Sequence, residues 1–169
     1  GQPLNIDNIS RSLTILNEVP GVKAVSVLEA GENQGDTNLR VTLSDGNWLT
    51  GRAETNNYGS RTTGQWQGSA SASANNISGY GDQAFLNGIY AQGSQYTQGS
   101  YNFPIGAKGL RTNLSGSYLN YTNIGDFATN GSTGSAVVLS GELSYPLLRQ
   151  QATNLNLTAR FDNKSYLNN

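Results

Sequence analysis

The sequence predicts a mainly β protein, in which a short helix and a pair of strands precede about seven antiparallel strands. From Asn47 onward, segments of about ten residues alternate polar with apolar side chains, and clusters of Gly, Asn, Pro and Asp separate them. The only stretch with helical spacing lies ahead of these segments and ends at Pro20-Gly21. These two observations set the fold class.

The first predicted elements are one helix and two strands. Asp7 or Asn8 is a suitable N-cap for a helix with apolar residues along one face at Ile9, Leu13, Leu16 and Val19. Two alternating strands follow, joined by residues 31–36 and ended by the turn at Asp45-Gly46; their apolar positions are Val25, Val27, Leu39, Val41 and Leu43. So small a unit cannot bury a core alone, and we expect its partners to precede residue 1 in a longer chain.

The remaining strands follow from period-two alternation, which is poor only in the third of them. They are predicted at Trp48–Asn56, Thr62–Ala74, Ala84–Ala91, Tyr96–Ile105, Leu110–Tyr121, Val137–Tyr145 and Asn154–Lys164. The last has the cleanest pattern, with Leu155, Leu157, Ala159 and Phe161 opposite Asn156, Thr158, Arg160, Asp162 and Lys164. A one-residue slip would exchange these two sets, so the register is well specified.

The apolar face of these strands predicts contact either with lipid or with the core of a soluble sandwich. Aromatic residues near the strand ends favour lipid; they are Trp48, Tyr101, Phe103, Tyr118, Tyr145 and Phe161. Small polar residues and charges of both signs on the other face match a hydrated lumen. The residues predicted to face that lumen are Gln65, Gln67, Ser69, Gln98, Ser100, Arg111, Asn113, Ser115, Glu142, Arg160, Asp162 and Lys164. The strands are therefore predicted to form part of a transmembrane β-barrel.

Counting strands assigns the loops to the two sides of the membrane. Residues 122–134 form the longest turn-rich stretch, and we expect them to be an extracellular loop. About seven strands leave two open edges, which lipid does not tolerate, so this stretch should not close a barrel by itself.

Charge and composition exclude several classes of function. A net charge of −1 and a pI near 5.3 argue against a nucleic-acid partner. The chain has no Cys, which excludes disulfides and thiolate metal sites, and no His, which excludes imidazole ligands and Ser-His catalysis. We expect neither a cofactor nor enzymatic activity.

The acidic residues offer two weak alternatives to a structural role. The Gly-Asp pairs at Asp36, Asp82 and Asp126 are interpreted as turns rather than calcium ligands, since EF-hand spacing is missing. Glu142 with Asp162 could be a carboxylate pair of a glycosidase-like site. A salt-bridge ladder on adjacent strands that includes Arg160 and Lys164 is the preferred interpretation.

Several segments, taken in order, resemble one protein family. They are LNEVPGV (residues 16–22), NNYGSRTTGQWQGSASASANN (56–76), GYGDQ (79–83), YNFPIGAKGLR (101–111) and LSYPLLRQQATNLNL (143–157). The chain is similar to the outer-membrane transporters of two-partner secretion, the haemolysin and haemagglutinin secretion/activation proteins of the Omp85 superfamily. The similarity spans nearly the whole chain.

The resemblance implies that residues 1–46 are the C-terminal part of a POTRA-like periplasmic domain. Residues 47–169 would be the first strands of a transmembrane barrel in the bacterial outer membrane. The implied partners are an unfolded secreted exoprotein, outer-membrane lipid and the remaining barrel strands of the full-length chain, with no nucleic acid.

An unfolded client can add a strand to an exposed sheet edge, and the strands at residues 22–28 and 39–44 offer such edges. Lys23 and Arg40 are candidate contacts to this client. The alternatives are a secreted β-solenoid adhesin, a porin and another Omp85-type assembly factor.

Overall fold

The computed structural model describes residues 6–32, 36–106, 108–149 and 153–168. The element order is α1 (Ile6–Asn17), β1 (Val22–Ala30), β2 (Thr37–Asp45), β3 (Leu49–Asn56), β4 (Gln67–Asn75), β5 (Gln83–Ala91), β6 (Ser94–Ile105), β7 (Leu110–Thr122), a short 3₁₀ helix (Gly125–Asn130), β8 (Thr133–Arg149) and β9 (Asn154–Asn168). The protein is mainly β, as predicted.

Helix α1 is shifted toward the N-terminus relative to the prediction. It begins at Ile6, so Asp7 and Asn8 lie inside its first turn and the proposed N-cap is wrong. It ends at Asn17, before Val19, because the Asn17 side chain turns to β1: its Nδ2 donates to the carbonyl oxygen of Ala24 (3.0 Å), and its Oδ1 accepts from the Ala24 N–H (2.8 Å). In the described ranges, no helix combines the length and hydropathy needed to cross a bilayer.

Strands β1 and β2 form a separate two-stranded antiparallel sheet on which α1 packs. The register pairs Ala24 with Leu43 and Leu28 with Leu39. Apolar side chains of α1 (Ile9, Leu13 and Leu16) and of β2 (Leu39 and Val41) line a shallow groove. We call residues 6–45 the helical unit.

Strands β3 to β9 form one seven-stranded sheet in which each strand pairs antiparallel with its neighbours in the sequence. Strands β3 and β9 are the two edges, and among the described residues they do not pair with each other. The sheet is therefore open in this part of the chain, as the strand count predicted.

The pairing register extends one polar face and one apolar face across all seven strands. Gly99 pairs with both Leu86 and Gly116, which keeps these positions on the apolar face. The weak alternation of β5 has a local cause, because Phe85 and Ile89 lie on the polar face of that strand, opposite Ser100 and Tyr96.

Strand β4 starts later than the sequence pattern predicted. It begins at Gln67 instead of Thr62, so Gln65 and Trp66 belong to the preceding loop and not to the strand faces assigned to them. Hydrogen bonds within and beyond the loop explain the difference: Gly59 N–H donates to the carbonyl of Gln65 (2.9 Å), and Gly93 N–H donates to the carbonyl of Thr63 (2.6 Å). Polar and apolar residues alternate here as they do in a strand, but the carbonyl groups of Thr63 and Gln65 hydrogen-bond to glycines in loops.

A β-bulge interrupts β8 near its end. Pro146 pairs with Asn156 and Leu148 with Leu155, so Leu147 is the extra residue. After the bulge, the alternation of β8 is shifted by one residue, so Leu148 lies opposite the apolar Leu155 of β9.

Loops cluster at two ends of the seven-stranded sheet. The β3–β4, β5–β6 and β7–β8 connections lie at one end, which we call the distal end. Backbone hydrogen bonds join all three, because Gly93 bonds Thr63, Ile124 N–H donates to the carbonyl of Thr62 (2.8 Å), and Thr122 N–H donates to the carbonyl of Gly93 (2.8 Å). The other end holds the helical unit and the β4–β5 loop.

Candidate functional site

The polar face of the seven-stranded sheet brings together nearly all the residues predicted to face a lumen. Cross-strand pairs such as Ser100 with Ser115 and Asn113 with Glu142 place them side by side. Gln65 is the exception, since it precedes β4. The common face is an observed property of the sheet, whereas its contact with a water-filled lumen stays a prediction.

On strands β4 to β8, the apolar face is more exposed than the polar face, which is the reverse of the arrangement in a soluble protein. Leu114 and Leu139 on the apolar face are 53% and 60% exposed, whereas their polar-face neighbours Ser115 and Ser140 are half-buried. Among the described residues, the only buried apolar side chains are those of Ala24, Ala91 and Pro146. A sandwich would cover its apolar face with a second sheet, and the described chain provides none.

Uncharged side chains on the polar face hydrogen-bond to one another across strands. Gln67 Nε2 donates to Asn56 Oδ1 (2.9 Å), and Gln83 Nε2 donates to Asn75 Oδ1 (2.7 Å). From β4 to β6 every polar side chain on this face is a Ser, Gln, Asn or Tyr. Such a wall presents donors and acceptors without a strong local charge.

The charges of the polar face lie outside β4–β6: Arg52 and Glu54 form an ion pair on β3, and a larger group lies on β7 to β9. Arg160 lies between two carboxylates: its Nε is 2.8 Å from Asp162 Oδ1, and its Nη1 is 3.9 Å from Glu142 Oε2. A general acid and base need substrate between their carboxylates, but here a guanidinium occupies that position. The geometry favours the salt-bridge ladder over the carboxylate pair.

Asp82 occupies the end of the β4–β5 loop, and the sequence pattern predicted only a turn there. Its side chain is 0% exposed and accepts hydrogen bonds from Ser78 N–H (2.9 Å), Ser78 O–H (2.6 Å) and Tyr101 O–H (2.7 Å). Burial alone would raise the pKa of Asp82, but these hydrogen bonds outweigh it and lower the pKa from 3.8 to about 2. A signal was present in the run of turn formers from Asn76 to Gly81, but the partner Tyr101 is distant in sequence.

The two candidate client contacts differ in their surroundings. The Arg40 guanidinium lies 3.1 Å from Glu29 on the neighbouring strand, whereas Lys23 is exposed on β1. Neither lies on the polar face of the large sheet. Within the described ranges, no group of three or more His, Cys, Asp or Glu side chains could hold a metal ion.

A protein-family model matches most of this chain, and one relative matches nearly all of it. The model of the haemolysin secretion/activation proteins ShlB/FhaC/HecB matches residues 35–169. The heme/hemopexin transporter protein HuxB of Haemophilus influenzae (strain 86-028NP) is 26% identical over 161 residues, which are 94% of this chain and 28% of that protein. The chain thus spans little more than a quarter of this relative.

Two solved structures share the fold. CdiB from Escherichia coli matches 100% of this chain and 33% of its own, with a TM-score of 0.78 and 21% identity. BamA from Haemophilus ducreyi, lacking POTRA domains 1–3, matches 94% of this chain and 30% of its own, with a TM-score of 0.56 and 16% identity. The resemblance inferred from the sequence motifs is confirmed, because the chain belongs to the haemolysin secretion/activation family ShlB/FhaC/HecB.

Proposed function

We propose that the full-length protein moves an unfolded secreted exoprotein across the bacterial outer membrane, and that the polar face of β3–β9 lines its path. The observation that carries this proposal is that β4 to β8 expose their apolar face more than their polar face, in a chain of the secretion/activation family. A curved sheet crowds the side chains on its concave side, so a half-buried polar face and an exposed apolar face fit a barrel wall with lipid outside.

The chemistry of the polar face suits passage of a polypeptide. An unfolded client exposes backbone N–H and C=O groups that need partners. Ser, Asn and Gln side chains exchange hydrogen bonds with such groups, and without a charge each contact is weak. A client could then slide from one contact to the next without being held.

The rest of the chain has matching roles in this proposal. The open edges of β3 and β9 would pair with the remaining barrel strands of the full-length protein, because an unpaired edge cannot face lipid. Residues 1–46 would be the end of a POTRA-like domain in the periplasm. Lys23 and Arg40 would be secondary contacts to the client, and the ion pair with Glu29 reduces the charge available from Arg40.

The helical unit offers its outer β1 edge for strand addition by the client. Asn17 bonds the N–H and C=O of Ala24, so these groups point away from β2. Outward groups recur at every second residue of an edge strand, which assigns the next outward positions to Ser26 and Leu28. Ala24 is already occupied, so strand addition would begin at Ser26.

Cysteine accessibility in the full-length protein tests which face meets water. Ser115 and Leu114 are adjacent in β7 and lie on opposite faces. In native membranes, a water-soluble maleimide should modify Ser115→Cys and leave Leu114→Cys unmodified. A photo-crosslinking amino acid at Gln98 should capture the client during secretion, whereas one at Leu86 on the apolar face should not. Equal labelling of the two cysteines, or client capture from Leu86, would contradict the proposal.

A further inference from the structure

We propose that the β4–β5 loop, Tyr101 and Arg111 form a rim clasp that holds the helical unit and the seven-stranded sheet together as one rigid body during secretion. The rim clasp consists of residues 76–82 with Tyr101 and Arg111. Neighbouring units joined by a short linker usually move relative to each other unless their contact is strong. Three sets of contacts argue for a fixed junction here.

First, the loop is closed on itself. Asn76 N–H donates to the carbonyl of Asp82 (2.6 Å), and Gly81 N–H donates to Asn76 Oδ1 (2.8 Å). Asn76 is the only non-glycine residue with positive φ among the described residues (55°), a conformation that Asn tolerates well. One side chain thus ties the beginning of the loop to its end.

Second, two neighbouring strands hold the loop. Tyr101 of β6 donates its hydroxyl proton to the buried Asp82 carboxylate (2.7 Å). Arg111 of β7 donates from Nη2 to the carbonyl of Gly81 (2.8 Å) and from Nε to Asn102 (2.9 Å). Hydrogen bonds to a charged group are stronger than neutral ones, so both ties resist separation.

Third, the closed loop contacts the turn that ends α1. A Cβ placed on Gly81 would lie 2.6 Å from Cγ1 and 3.6 Å from Cβ of Val19. A Cβ on Gly21 would lie 3.0 Å from the Cβ of Asn75. The carboxylate of Glu18 attracts the Arg111 guanidinium electrostatically. The turn therefore contacts the sheet at more than one point. Separate points of contact oppose rotation of the helical unit relative to the sheet.

The junction of β2 with β3 strengthens the same contact. Gly46 N–H donates to the carbonyl of Gly21 (2.8 Å), and Asn75 Nδ2 donates to the carbonyl of Asn47 (2.9 Å). The short connection between the unit and the sheet is thereby fixed along its length. Tyr101 and Arg111 are therefore positioning residues, which keep the outer edge of β1 at a constant distance from the polar face of the sheet.

The test is a distance measurement in the full-length protein in lipid. Spin labels at Thr42→Cys on β2 and Lys108→Cys in the β6–β7 turn, both exposed positions, report the unit relative to the sheet. We expect one narrow distance distribution that stays unchanged when client is added. A broad distribution, or a shift on adding client, would overturn the rigid junction.

Matched variants assign the rigidity to the clasp. Tyr101→Phe removes only a hydroxyl and Arg111→Gln removes both donated bonds, so each should broaden the distribution at least twofold. Tyr118→Phe changes the same residue type on the same face of the neighbouring strand, and it should leave the distribution unchanged. The inference fails if Tyr101→Phe and Arg111→Gln keep the narrow distribution or if Tyr118→Phe broadens it equally.

A crosslink gives a second readout. The 3.6 Å separation between a Cβ on Gly81 and that of Val19 falls within the roughly 3.5–4.5 Å of disulfides, so Val19→Cys with Gly81→Cys should crosslink under an added oxidant. Gly81 has a φ of 79°, which strains any side chain there, so Gly81→Cys alone is the reference. The crosslinked protein should secrete as well as the Gly81→Cys single variant does. Loss of secretion that a reductant restores would show that the junction must open. The inference rests on the proposed function, but the two can fail separately, because the spin-label distances without client are measured whether or not the protein secretes.

Discussion

Leu157 and Thr158 are neighbours in β9 whose side chains lie on opposite faces of the sheet. Leu157 pairs with Tyr145 and is 60% exposed, whereas Thr158 pairs with Ser144. An Arg that faces the bilayer midplane costs roughly 2–4 kcal/mol, while an Arg in a hydrated lumen stays solvated. In the full-length protein, Leu157→Arg should therefore reduce barrel assembly much more than Thr158→Arg does.

Heat-modifiable migration in gels measures that assembly, and Thr158→Arg should remain in the membrane with altered conductance or secretion. If both variants assemble equally poorly, or Thr158→Arg is the worse, the assignment of the two faces is wrong.

Asp82 predicts a pH dependence of stability. Its pKa falls from 3.8 to about 2 on folding, so the ionised carboxylate stabilises the fold above pH 3.8, and this contribution is lost as the pH falls through about 2. Asp82→Asn should lower the denaturation midpoint of the full-length protein at pH 6, and its difference from wild type should narrow between pH 4 and pH 2.

Asp45→Asn, at an exposed carboxylate, is the control and should show a much smaller difference at pH 6. A difference between Asp82→Asn and wild type that is the same at pH 6 and pH 2 would contradict this role.

The sequence predicted the face of most residues but not their specific partners. Alternation alone assigned Arg160 and Phe161 to opposite faces, since period two is a local property of a strand. The bonds of Asp82 could not be predicted, because Tyr101 reaches it only through the register of β5 with β6. The face on which a residue lies can be predicted from the local pattern, whereas the hydrogen bonds around Asp82 depend on how the strands pair.

The strands were predicted well in the middle and poorly at their ends. The start of β4 was misplaced because the polar loop before it continues the alternation while its backbone bonds to Gly93 and Gly59. The bulge after Pro146 was invisible, since one extra residue in a run of apolar side chains leaves no gap in the pattern. The residue at which a strand starts or ends depends on the hydrogen bonds of its backbone to other segments, and the sequence pattern does not show these bonds.

The β7–β8 loop carries a topological prediction. The structure gives it a short 3₁₀ helix, Gly125–Asn130, between strands that end at Thr122 and restart at Thr133. Long loops of outer-membrane barrels face outward, so an epitope tag inserted after Asn130 should be accessible to antibody on intact cells. The same tag after Lys108, at the opposite end of the sheet, should be protected; the reverse result would invert the topology.

The open sheet limits what residues 1–169 can do alone. In the described residues β3 and β9 remain unpaired edges, and an edge in lipid leaves its N–H and C=O groups without partners. The isolated segment should therefore fail to form a heat-modifiable, protease-resistant species in detergent or liposomes. A compact, heat-modifiable species would show that these strands can close without the rest of the barrel.

The hydrogen bonds that join the three distal loops determine how the distal end of the sheet opens. The N–H groups of Gly93, Thr122 and Ile124 bond across loops that belong to three different hairpins, so none of these bonds can break without disturbing another hairpin. Hydrogen exchange at the distal end should therefore be cooperative, with these three amides sharing one opening free energy. Exchange measured by mass spectrometry on the full-length protein should show one correlated protection class there, whereas three unrelated rates would indicate hairpins that fluctuate independently. The distal end of the sheet would then open as a single cooperative unit that includes six strands, β3 to β8.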